Sequence, residues 1–459
     1  MYNAETTIAA LSTPPGKGGV ALIRMSGPRA IEIATRCFIL RSDNPLSELP
    51  SRHAAYGDVI FEGAPIDDAI ITVFRAPHSY TGEDTVEISC HGGILLTETV
   101  LAALFAAGAE QAEAGEFTRR AMLSGRLSLT EAEAIGNLLE AKSRAGIRLS
   151  AATARTRLSR ELDELHNALL TLISSLYAKI DYPEEDLADL SNDEILFSLA
   201  DITARADSLL ATYRTGRAVA EGIPTVLCGA PNVGKSALYN VLCGEDLAIV
   251  TEHAGTTRDV LSSTVPLGSV MLRLSDTAGL RDATDPVERI GVDRSRTKME
   301  EAELLLAVFD GSRPLTEEER ELLAFLKTAA GCVVILQNKT DLAQVLSLDA
   351  FADFEHVLPI SAKTGEGLDA LSELITRLFT DEKIHLGEDA VIASARQFAA
   401  LSRARDAICR ARDAFACGLP ADIASSDLEQ GLAAFSELCG RTVSDEIISE
   451  IFRRFCVGK

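Results

Sequence analysis

The chain of 459 residues contains no tryptophan, and only 5% of its residues are aromatic, so leucine, isoleucine, valine and alanine must fill its cores. Its nine cysteines include no CxxC pair, which fits neither a disulfide framework nor a zinc site. No apolar run approaches the roughly 18 residues that a membrane-spanning helix needs. Residues 1–10 carry Glu5 and no basic region, so we expect no signal peptide. These absences predict a soluble, cytoplasmic protein.

Basic residues are scarce relative to acidic ones, 44 against 68, which gives a formal net charge of −24. Ordinary solubility explains most of this charge. A surface this acidic repels a polyanion at long range, so local basic stretches or a basic partner would have to hold a nucleic acid. Arg148, Arg155 and Arg160 form one candidate stripe along a predicted helix, but a solvated helix face interleaved with glutamate explains them equally well.

The chain contains regions of three kinds, which differ in composition and in the spacing of apolar residues. Residues 1–118 mix short apolar runs with glycine and proline, which predicts an α+β domain. Residues 119–214 and 384–459 have the spacing of long helices and are expected to form the two parts of a helical domain. Residues 215–383 alternate strand and helix, as in a doubly wound sheet. We therefore expect an α/β unit inserted into one helical domain, with two separate helical domains as the alternative.

Several individual elements are predicted within these regions. Strands are expected at 19–25, 69–74, 85–90, 225–228, 271–274, 304–309 and 333–337. Helices are expected at 30–40, at 94–107 and, as the longest one, at 143–180. Each predicted strand of the α/β unit ends where a loop motif begins, which is where ligands bind in such sheets.

The first loop motif is a P-loop. Residues 229–236, Gly-Ala-Pro-Asn-Val-Gly-Lys-Ser, match the pattern G-x-x-x-x-G-K-S/T between a predicted strand and a predicted helix. The glycines let backbone N–H groups surround phosphates, Lys235 adds positive charge, and the Ser236 hydroxyl ligates Mg²⁺. Nucleotide contacts are predicted from Asn232, Val233, Gly234, Lys235, Ser236 and Ala237.

Two further motifs and a companion loop follow later strands. In the segment 276–279, Asp-Thr-Ala-Gly, the aspartate can hold Mg²⁺ through water and the glycine N–H can sense a γ-phosphate. In 338–341, Asn-Lys-Thr-Asp, the carboxylate of Asp341 can accept two hydrogen bonds from guanine that adenine cannot donate, which predicts GTP rather than ATP. The contacts predicted here are Asp276, Thr277, Ala278, Gly279, Asn338, Lys339, Asp341, Ser361, Ala362 and Lys363. The order of motifs predicts a Ras-like G domain that hydrolyses GTP.

The segment between the first two motifs is the candidate switch loop. A threonine there commonly completes Mg²⁺ coordination, and we assign Thr257 to this role. Leu280 follows Gly279 in place of a glutamine that could orient water, so hydrolysis is slow or another group takes that role. Spacing alone does not choose among Asp282, Asp285 and Glu288. Nucleotide contacts are predicted from Thr251, Glu252, His253, Ala254, Gly255, Thr256 and Thr257.

The order of P-loop, GTTRD, DTAGLR, NKTD and SAK resembles the Era/TrmE branch of bacterial GTPases. Segments 6–27, 79–93, 114–135 and 455–459 resemble the MnmE (TrmE) family, and the resemblance covers the whole chain. It implies a homodimer whose N-terminal domain binds 5,10-methylene-tetrahydrofolate, with 5-formyl-tetrahydrofolate as an analogue. It also implies a hetero-oligomer with MnmG, a flavin- and NADH-dependent partner. Together they would place an aminomethyl or carboxymethylaminomethyl group on carbon 5 of the wobble uridine, U34, of certain tRNAs.

The resemblance also implies roles for individual residues. Glu288 matches the family's catalytic glutamate, which replaces the missing glutamine in function. The residues implied for K⁺ are Asn232, Thr251, His253 and Thr256, and those implied for folate are Arg24, Glu87, Arg126 and Lys459. Arg126 stands where lysine is frequent; it keeps the charge but changes the donor geometry.

Cys456 lies in a tail, FCVGK, that resembles the family's CxGK motif. Positive charge from Arg453, Arg454 and Lys459 would stabilise a thiolate, so we predict a catalytic role in tRNA modification and none in GTP hydrolysis. The alternative is a small buried hydrophobic residue, as most free cysteines are.

Other interpretations remain open at this point. Arg24 would otherwise be a surface charge and Glu87 the solvated face of a strand. His91 has no ligand partner at a metal-site spacing, so a structural turn is the favoured interpretation. A ribosome-assembly GTPase switch of the Era type would need a basic RNA-binding module such as a KH domain, which no segment resembles. A folate-binding regulator without chemistry is the third possibility.

Overall fold

The computed structural model describes residues 5–42, 44–155, 157–181, 191–244, 262–275, 298–442, 448, 451–453 and 455–459. The chain forms two compact units, Met1–Gly136 with Phe435–Lys459, and Asn137–Ala434. The multidomain prediction, with an α+β N-terminal domain, a helical domain and an inserted α/β unit, is confirmed. The four-part division of the chain stays a prediction, since these two units divide it at other positions.

The first unit is built on a seven-stranded sheet. Its strands are β1 (Ile8–Leu11), β2 (Ala21–Ser26), β3 (Phe38–Leu40), β4 (His53–Phe61), β5 (Ala64–Phe74), β6 (Thr85–Cys90) and β7 (Glu110–Gln111). They lie in the order β3-β4-β5-β6-β2-β1-β7. Ile71, Ile88 and Ile23 are register partners across β5, β6 and β2, and all three are buried on one face. Because side chains alternate along a strand, the residues beside them project from the opposite face.

The helices of this unit are α1 (Ala30–Cys37), α2 (Ile94–Ala106), α3 (Glu116–Leu123) and α4 (Leu129–Glu140), which continues past the unit. Residues of α1 and α2 share one core with the isoleucines of the sheet. The predicted helix at 30–40 is wrong in its last three residues, because Phe38–Leu40 pairs with β4 as a strand. There Phe38 is buried and Ile39 exposed, which is the alternation of a strand and not the spacing of a helix.

Two buried aromatic rings anchor the start of the tail. Phe452 and Phe455 are buried together with Ala132 and Ile448, and the two ring centroids lie 5.3 Å apart. A Cβ atom at Gly136 would lie 3.0 Å from the Phe455 ring, so a larger residue at this helix position would crowd the ring. The tail segment, residues 455–459, therefore starts from a buried anchor.

The second unit combines long helices with an α/β fold. Its helices are α5 (Arg144–Thr153), α6 (Arg157–Asp181), α7 (Asn192–Ala211), α8 (Tyr213–Ala220), α9 (Lys235–Cys243), α10 (Glu317–Leu326), α11 (Leu368–Phe379), α12 (Ala395–Ala416) and α13 (Ala421–Leu438), which ends in the part of the chain assigned to the first unit. The single helix predicted at 143–180 is wrong, because the chain turns at residues 154–155 between α5 and α6. Arg148 and Arg160 therefore belong to different helices and form no stripe on one. In the described part of the chain, no helix is both long and apolar enough to cross a membrane.

The α/β part contains a six-stranded sheet. Its strands are β8 (Ile223–Cys228), β9 (Ser262–Leu267), β10 (Val270–Ser275), β11 (Leu304–Asp310), β12 (Cys332–Asn338) and β13 (His356–Pro359), in the order β13-β12-β11-β8-β10-β9. Only the β9–β10 pairing is antiparallel among these described strands. Every residue of β11 is buried, as expected for a central strand covered on both faces. All four strands predicted in this region are confirmed.

The incoming and outgoing chains of the α/β part are fixed side by side. The Asp381 backbone N–H donates to the Thr215 hydroxyl at 2.9 Å, and the Ile392 N–H donates to the Thr212 hydroxyl at 3.0 Å. A Cβ atom at Gly216 would lie 2.1 Å from the Ile392 carbonyl oxygen. Helices α7 and α12, from before and after the α/β part, pack against each other. The α/β part is thus an insertion into one helical domain, and the alternative of two separate helical domains is wrong.

Candidate functional site

The P-loop connects β8 to α9 with an unusual backbone. Gly229 has φ 145° and Gly234 has φ 104°, and a Cβ atom would lie 2.3 Å from the Val308 carbonyl oxygen at the first position. Asn232 adopts φ 62°, which is uncommon for a residue with a side chain. Because α9 starts at Lys235, the loop ends at a helix N-terminus, where free backbone N–H groups favour an anion.

The Lys235 side chain folds back over the P-loop. Its ammonium group donates to the carbonyl oxygens of Gly229 and Ala230, both at 2.7 Å. Burial lowers the pKa of Lys235, because the charged form loses water. The side chains of Asn232, Ser236 and Ala237 are exposed, while that of Val233 is buried. The loop thus exposes the Ser236 residue, while the Lys235 ammonium is bound to carbonyl oxygens of the loop itself.

Asn338 joins three of the predicted loops. Its side-chain amide donates to the Val233 carbonyl oxygen at 2.7 Å, and its side-chain oxygen accepts from the Ala362 backbone N–H at 2.9 Å. The residue is 2% exposed. A Cβ atom at Gly234 would lie 2.1 Å from this amide nitrogen, so the P-loop and the Asn-Lys-Thr-Asp loop interlock.

Asp341 is oriented by the neighbouring loop. The buried Ser361 hydroxyl donates to one carboxylate oxygen of Asp341 at 2.7 Å, and the Thr364 backbone N–H donates to that hydroxyl at 3.2 Å. Asp341 and Lys363 are themselves exposed. The three loops that sequence analysis singled out after β8, β12 and β13 therefore converge, with a carboxylate available to a base.

The remaining predicted nucleotide, K⁺ and catalytic residues lie outside the described residues. They are Thr251, Glu252, His253, Ala254, Gly255, Thr256, Thr257, Asp276, Thr277, Ala278, Gly279 and Glu288. Their roles stay predictions. The described P-loop suits a nucleotide by its donor set, because it ends at the N-terminus of α9, where backbone N–H groups favour phosphate, and the exposed Ser236 offers the oxygen ligand that Mg²⁺ prefers.

Arg24 and Glu87 form an ion pair in the first unit. They lie opposite each other in β2 and β6, with the Arg24 Nη2 atom 2.8 Å from the Glu87 Oε1 atom. The Arg24 guanidinium also lies 5.4 Å from the ring centroid of Tyr80 and 5.8 Å from that of Phe117. The two side chains are only 15% and 22% exposed, so the surface-charge and solvated-face interpretations are wrong.

The tail is held by its main chain. The Gly115 and Phe117 backbone N–H groups donate to the carbonyl oxygens of Cys456 and Lys459 at 3.4 and 3.1 Å, and the Ser12 hydroxyl donates to that of Gly458 at 2.9 Å. Cys456 is an exposed free thiol, so its interpretation as a buried hydrophobic residue is wrong.

Gly458 allows the tail to approach β1 closely. It adopts φ 99°, and a Cβ atom there would lie 2.2 Å from the Leu11 carbonyl oxygen. The side chains of Cys456 and Lys459 therefore take no part in the bonds that attach the tail, which use the carbonyl oxygens of these residues.

The four residues predicted for folate are linked through one small region. The Phe117 ring contacts Arg24, and the Phe117 backbone N–H holds Lys459. Arg126 follows α3, and its Cγ atom would lie 3.4 Å from a Cβ atom at Gly82, two residues after Tyr80. Arg24, Glu87, Lys459 and Arg126 are thus connected by the segment 80–82 and by Phe117.

Sequence reasoning missed several residues at these sites. Tyr80 and Phe117 flank Arg24, and no local spacing signals that contact. Arg120 is 1% exposed, and its guanidinium donates to Glu116 at 2.8 Å and to Glu83 at 3.2 Å, which fixes the helix that carries Phe117. Asp310 pairs with Lys339 at 2.6 Å; its position at the end of a strand was the available signal.

His91 lies beside two carboxylates that sequence spacing did not reveal. Asp67 accepts hydrogen bonds from the His91 backbone N–H at 2.9 Å and from its Nδ1 atom at 2.8 Å. The ligand atoms of Asp67, Asp68 and His91 lie within 4.8 Å of one another. The hydrogen bond to Asp67 raises the pKa of His91. Because Asp67 already bonds both groups of His91, a structural turn remains the favoured interpretation.

Comparisons with known proteins identify the family. Residues 7–126 match the family described as "GTP-binding protein TrmE N-terminus", and residues 129–456 match "MnmE helical domain". The "tRNA modification GTPase MnmE" of Heliobacterium modesticaldum is 41% identical over 465 residues, covering 99% of both chains. That of Carboxydothermus hydrogenoformans is 37% identical over 461 residues, covering 99% of this chain and all of its own.

A solved structure is also similar to part of the chain. An Aquifex aeolicus Era variant bound to GDP.AlF4- matches 40% of this chain and 65% of its own, with 24% identity and a TM-score of 0.28. That score is too low to support a conclusion. The two family matches and the full-length relatives suffice: the chain belongs to the MnmE (TrmE) family.

Proposed function

We propose that this protein is the GTP-hydrolysing subunit of a tRNA-modifying complex that acts on carbon 5 of the wobble uridine, U34. The group added is aminomethyl or carboxymethylaminomethyl, with its one-carbon unit taken from a folate. That the protein is a GTPase follows from its family. The observation that carries the rest is the pairing of two sites in one chain: interlocked nucleotide loops, and an exposed thiol on a tail docked against Phe117, whose ring contacts the Arg24–Glu87 pair.

The nucleotide site divides its work among the loops. Backbone N–H groups of 232–237 bind the phosphates, Lys235 neutralises their charge, and Asp341 accepts hydrogen bonds from guanine. Ser236 and Thr257 would hold Mg²⁺, and Asn232, Thr251, His253 and Thr256 would hold K⁺. Both ions would supply positive charge where the transferred phosphoryl group develops negative charge. Glu288 orients the attacking water. Equal GTPase rates in KCl and NaCl would exclude the role of K⁺.

The second site suits a folate by its donor set. The Glu87 carboxylate is an acceptor for the amino and ring N–H groups of a reduced pterin, and Arg24, Arg126 and Lys459 are cations for carboxylates. The folate would supply a one-carbon unit. Arg24 is held between Tyr80 and Phe117 and paired with Glu87, so little side-chain freedom is lost when a ligand binds. Cys456 takes part in the modification, while GTP hydrolysis does not need it.

The partners follow from the same proposal. The protein works as a homodimer in a hetero-oligomer with MnmG and acts on tRNA in the cytoplasm, where GTP and folates are available. Because the net charge is −24, local basic residues or the partner must bind the tRNA backbone.

The decisive experiment is a nucleoside analysis of tRNA from a deletion strain by mass spectrometry. The proposal expects loss of the carbon-5 group from U34 and its return when the intact gene is supplied. An Era-type ribosome-assembly switch or a folate-binding regulator would leave the modified nucleoside at its normal level, and that result would refute the proposal.

A further inference from the structure

A buried carboxylate, that of Asp310, lies beside the Asn-Lys-Thr-Asp loop, residues 338–341, and has no role in the site as described above. Asp310 ends β11, is 6% exposed and is the register partner of Asn338 in β12. Its Oδ2 atom lies 2.6 Å from the Lys339 ammonium nitrogen. Its Oδ1 atom accepts from the Ser312 backbone N–H at 2.9 Å and from the Ser312 hydroxyl at 2.6 Å. Both oxygens are therefore engaged.

The Asp310 carboxyl is ionised at neutral pH. Burial alone would raise its pKa, but hydrogen bonds from Lys339 and Ser312 outweigh burial and lower the pKa. The charge thus remains available to Lys339.

Lys339 is held at both ends. Its backbone adopts φ 70°, which a residue with a Cβ atom rarely does, and its ammonium group is tied to Asp310. Asn338 on one side is locked to the P-loop, and Asp341 on the other carries the carboxylate proposed to bind guanine. The Lys339 side chain is therefore restrained at its backbone and at its ammonium group. A lysine without such a partner would lose its rotamer freedom only when a ligand binds.

We propose that Asp310 is a positioning residue for guanine-nucleotide binding, which it promotes by holding the Lys339 side chain in place before the base arrives. It touches no nucleotide and acts only through Lys339. The effect is on affinity for GTP and GDP alike. The rate of hydrolysis from the filled site is unchanged, since no residue proposed for the chemical step is moved. This inference rests on the proposed guanine site.

The variant Asp310→Asn is suited to the test because it preserves shape. Asparagine keeps an oxygen for Ser312 but loses the charge that holds Lys339. Arg313 lies 3.7 Å from Asp310, yet it is secured independently by two hydrogen bonds to Glu319 at 2.8 and 3.0 Å. The loop thus retains its second anchor. A matched control is Asp353→Asn, since Asp353 pairs with Lys327 at the same 2.6 Å distance on the surface.

The experiment is a double-mutant cycle on the full-length protein, with dissociation constants for fluorescent GDP. Asp310→Asn should weaken binding roughly tenfold, Lys339→Ala by at least as much, and Asp353→Asn not at all. In the Lys339→Ala background, adding Asp310→Asn should not weaken GDP binding further. The single variant Asp310→Asn should turn over saturating GTP at the rate of the unaltered protein.

Two other outcomes would overturn the inference. Fully additive losses would mean that Asp310 acts on the fold and not through Lys339. A fall in turnover at saturating GTP would mean that it acts on the chemical step. Failure of the unaltered protein to bind GDP would instead refute the proposed nucleotide site, so the two failures are distinguishable.

Discussion

The nucleotide loops and the tail are both irregular segments, but different parts of the chain hold them. In the nucleotide loops the buried Asn338 side chain bonds the backbone of the P-loop at Val233 and the backbone of the following loop at Ala362. The tail is attached through its own carbonyl oxygens and through the absence of a side chain at Gly458. A site held by a side chain is broken by truncating it, whereas a site held by main chain tolerates truncation and is broken by adding atoms.

The largest effect is expected from truncating the side chain that holds the nucleotide loops. Asn338→Ala leaves the buried Val233 carbonyl and Ala362 N–H without their partner, at about 1–3 kcal/mol for each orphaned group. We expect affinity for GDP and GTP to fall about a hundredfold or more, as measured by titration calorimetry. Asn192→Ala, which removes a 3.4 Å bond to Phe415 among the helices, is the control. Affinity within about threefold of the original would contradict this account.

The tail should respond to the opposite change. In Gly458→Ala the new Cβ atom would meet the Leu11 carbonyl oxygen at 2.2 Å, so the tail must leave its position. Hydrogen exchange at the Gly115 and Phe117 backbone amides, which donate to the tail's carbonyl oxygens, should become faster, with GTPase activity unchanged. Val457→Ala, which shortens a side chain that is 48% exposed, should leave protection intact. Undiminished protection in Gly458→Ala would show that the close approach is not needed.

A third variant separates attachment of the tail from chemistry. Cys456→Ser alters an exposed side chain and leaves the carbonyl oxygen that Gly115 binds. Hydrogen-exchange protection and GTPase rate should both stay at the original level. Wobble-uridine modification, measured with the partner present, should fall by about an order of magnitude or more, because a hydroxyl is a far weaker nucleophile and acid than a thiol. Modification at the original level would leave Cys456 without a catalytic role.

The smallest effect is expected at the pair of His91 and Asp67, which holds neither site and of which only His91 is exposed. The pKa of His91 is raised by its hydrogen bond to Asp67, so this contribution to stability is fully present below the unfolded pKa of about 6.5. It is lost as pH rises through the higher folded value. His91→Gln should therefore lower the thermal midpoint slightly near pH 5 and not near pH 9, both measured by calorimetry. An equal effect at both pH values would assign it to packing.

The parts of the fold that sequence predicted are those fixed by local pattern. Thr85–Cys90 is confirmed at both ends, because its alternation and its bounding residues lie within the segment itself. The P-loop is recognisable for the same reason. Phe38–Leu40 was assigned to a helix because its strand character comes from pairing with β4, which begins 13 residues later.

The candidate sites follow the same division. Asn338 and Asp341 were found because each belongs to a short motif. The contacts of Arg120 with Glu83 and of Arg24 with Tyr80 join residues 37 and 56 positions apart, and only folding brings them together. The predicted switch and Asp-Thr-Ala-Gly loops lie outside the described residues, so their placement was not tested.

The side-by-side attachment of the α/β part has a mechanical meaning. Thr212 and Thr215 tie the chain that enters this part to the chain that leaves it, through Ile392 and Asp381. A domain joined through one linker can rotate about it, whereas attachment at two adjacent points restricts that rotation. Movement of the α/β part is therefore restrained at both chains, and a side chain added at Gly216 would separate them, because its Cβ atom would lie 2.1 Å from the Ile392 carbonyl oxygen.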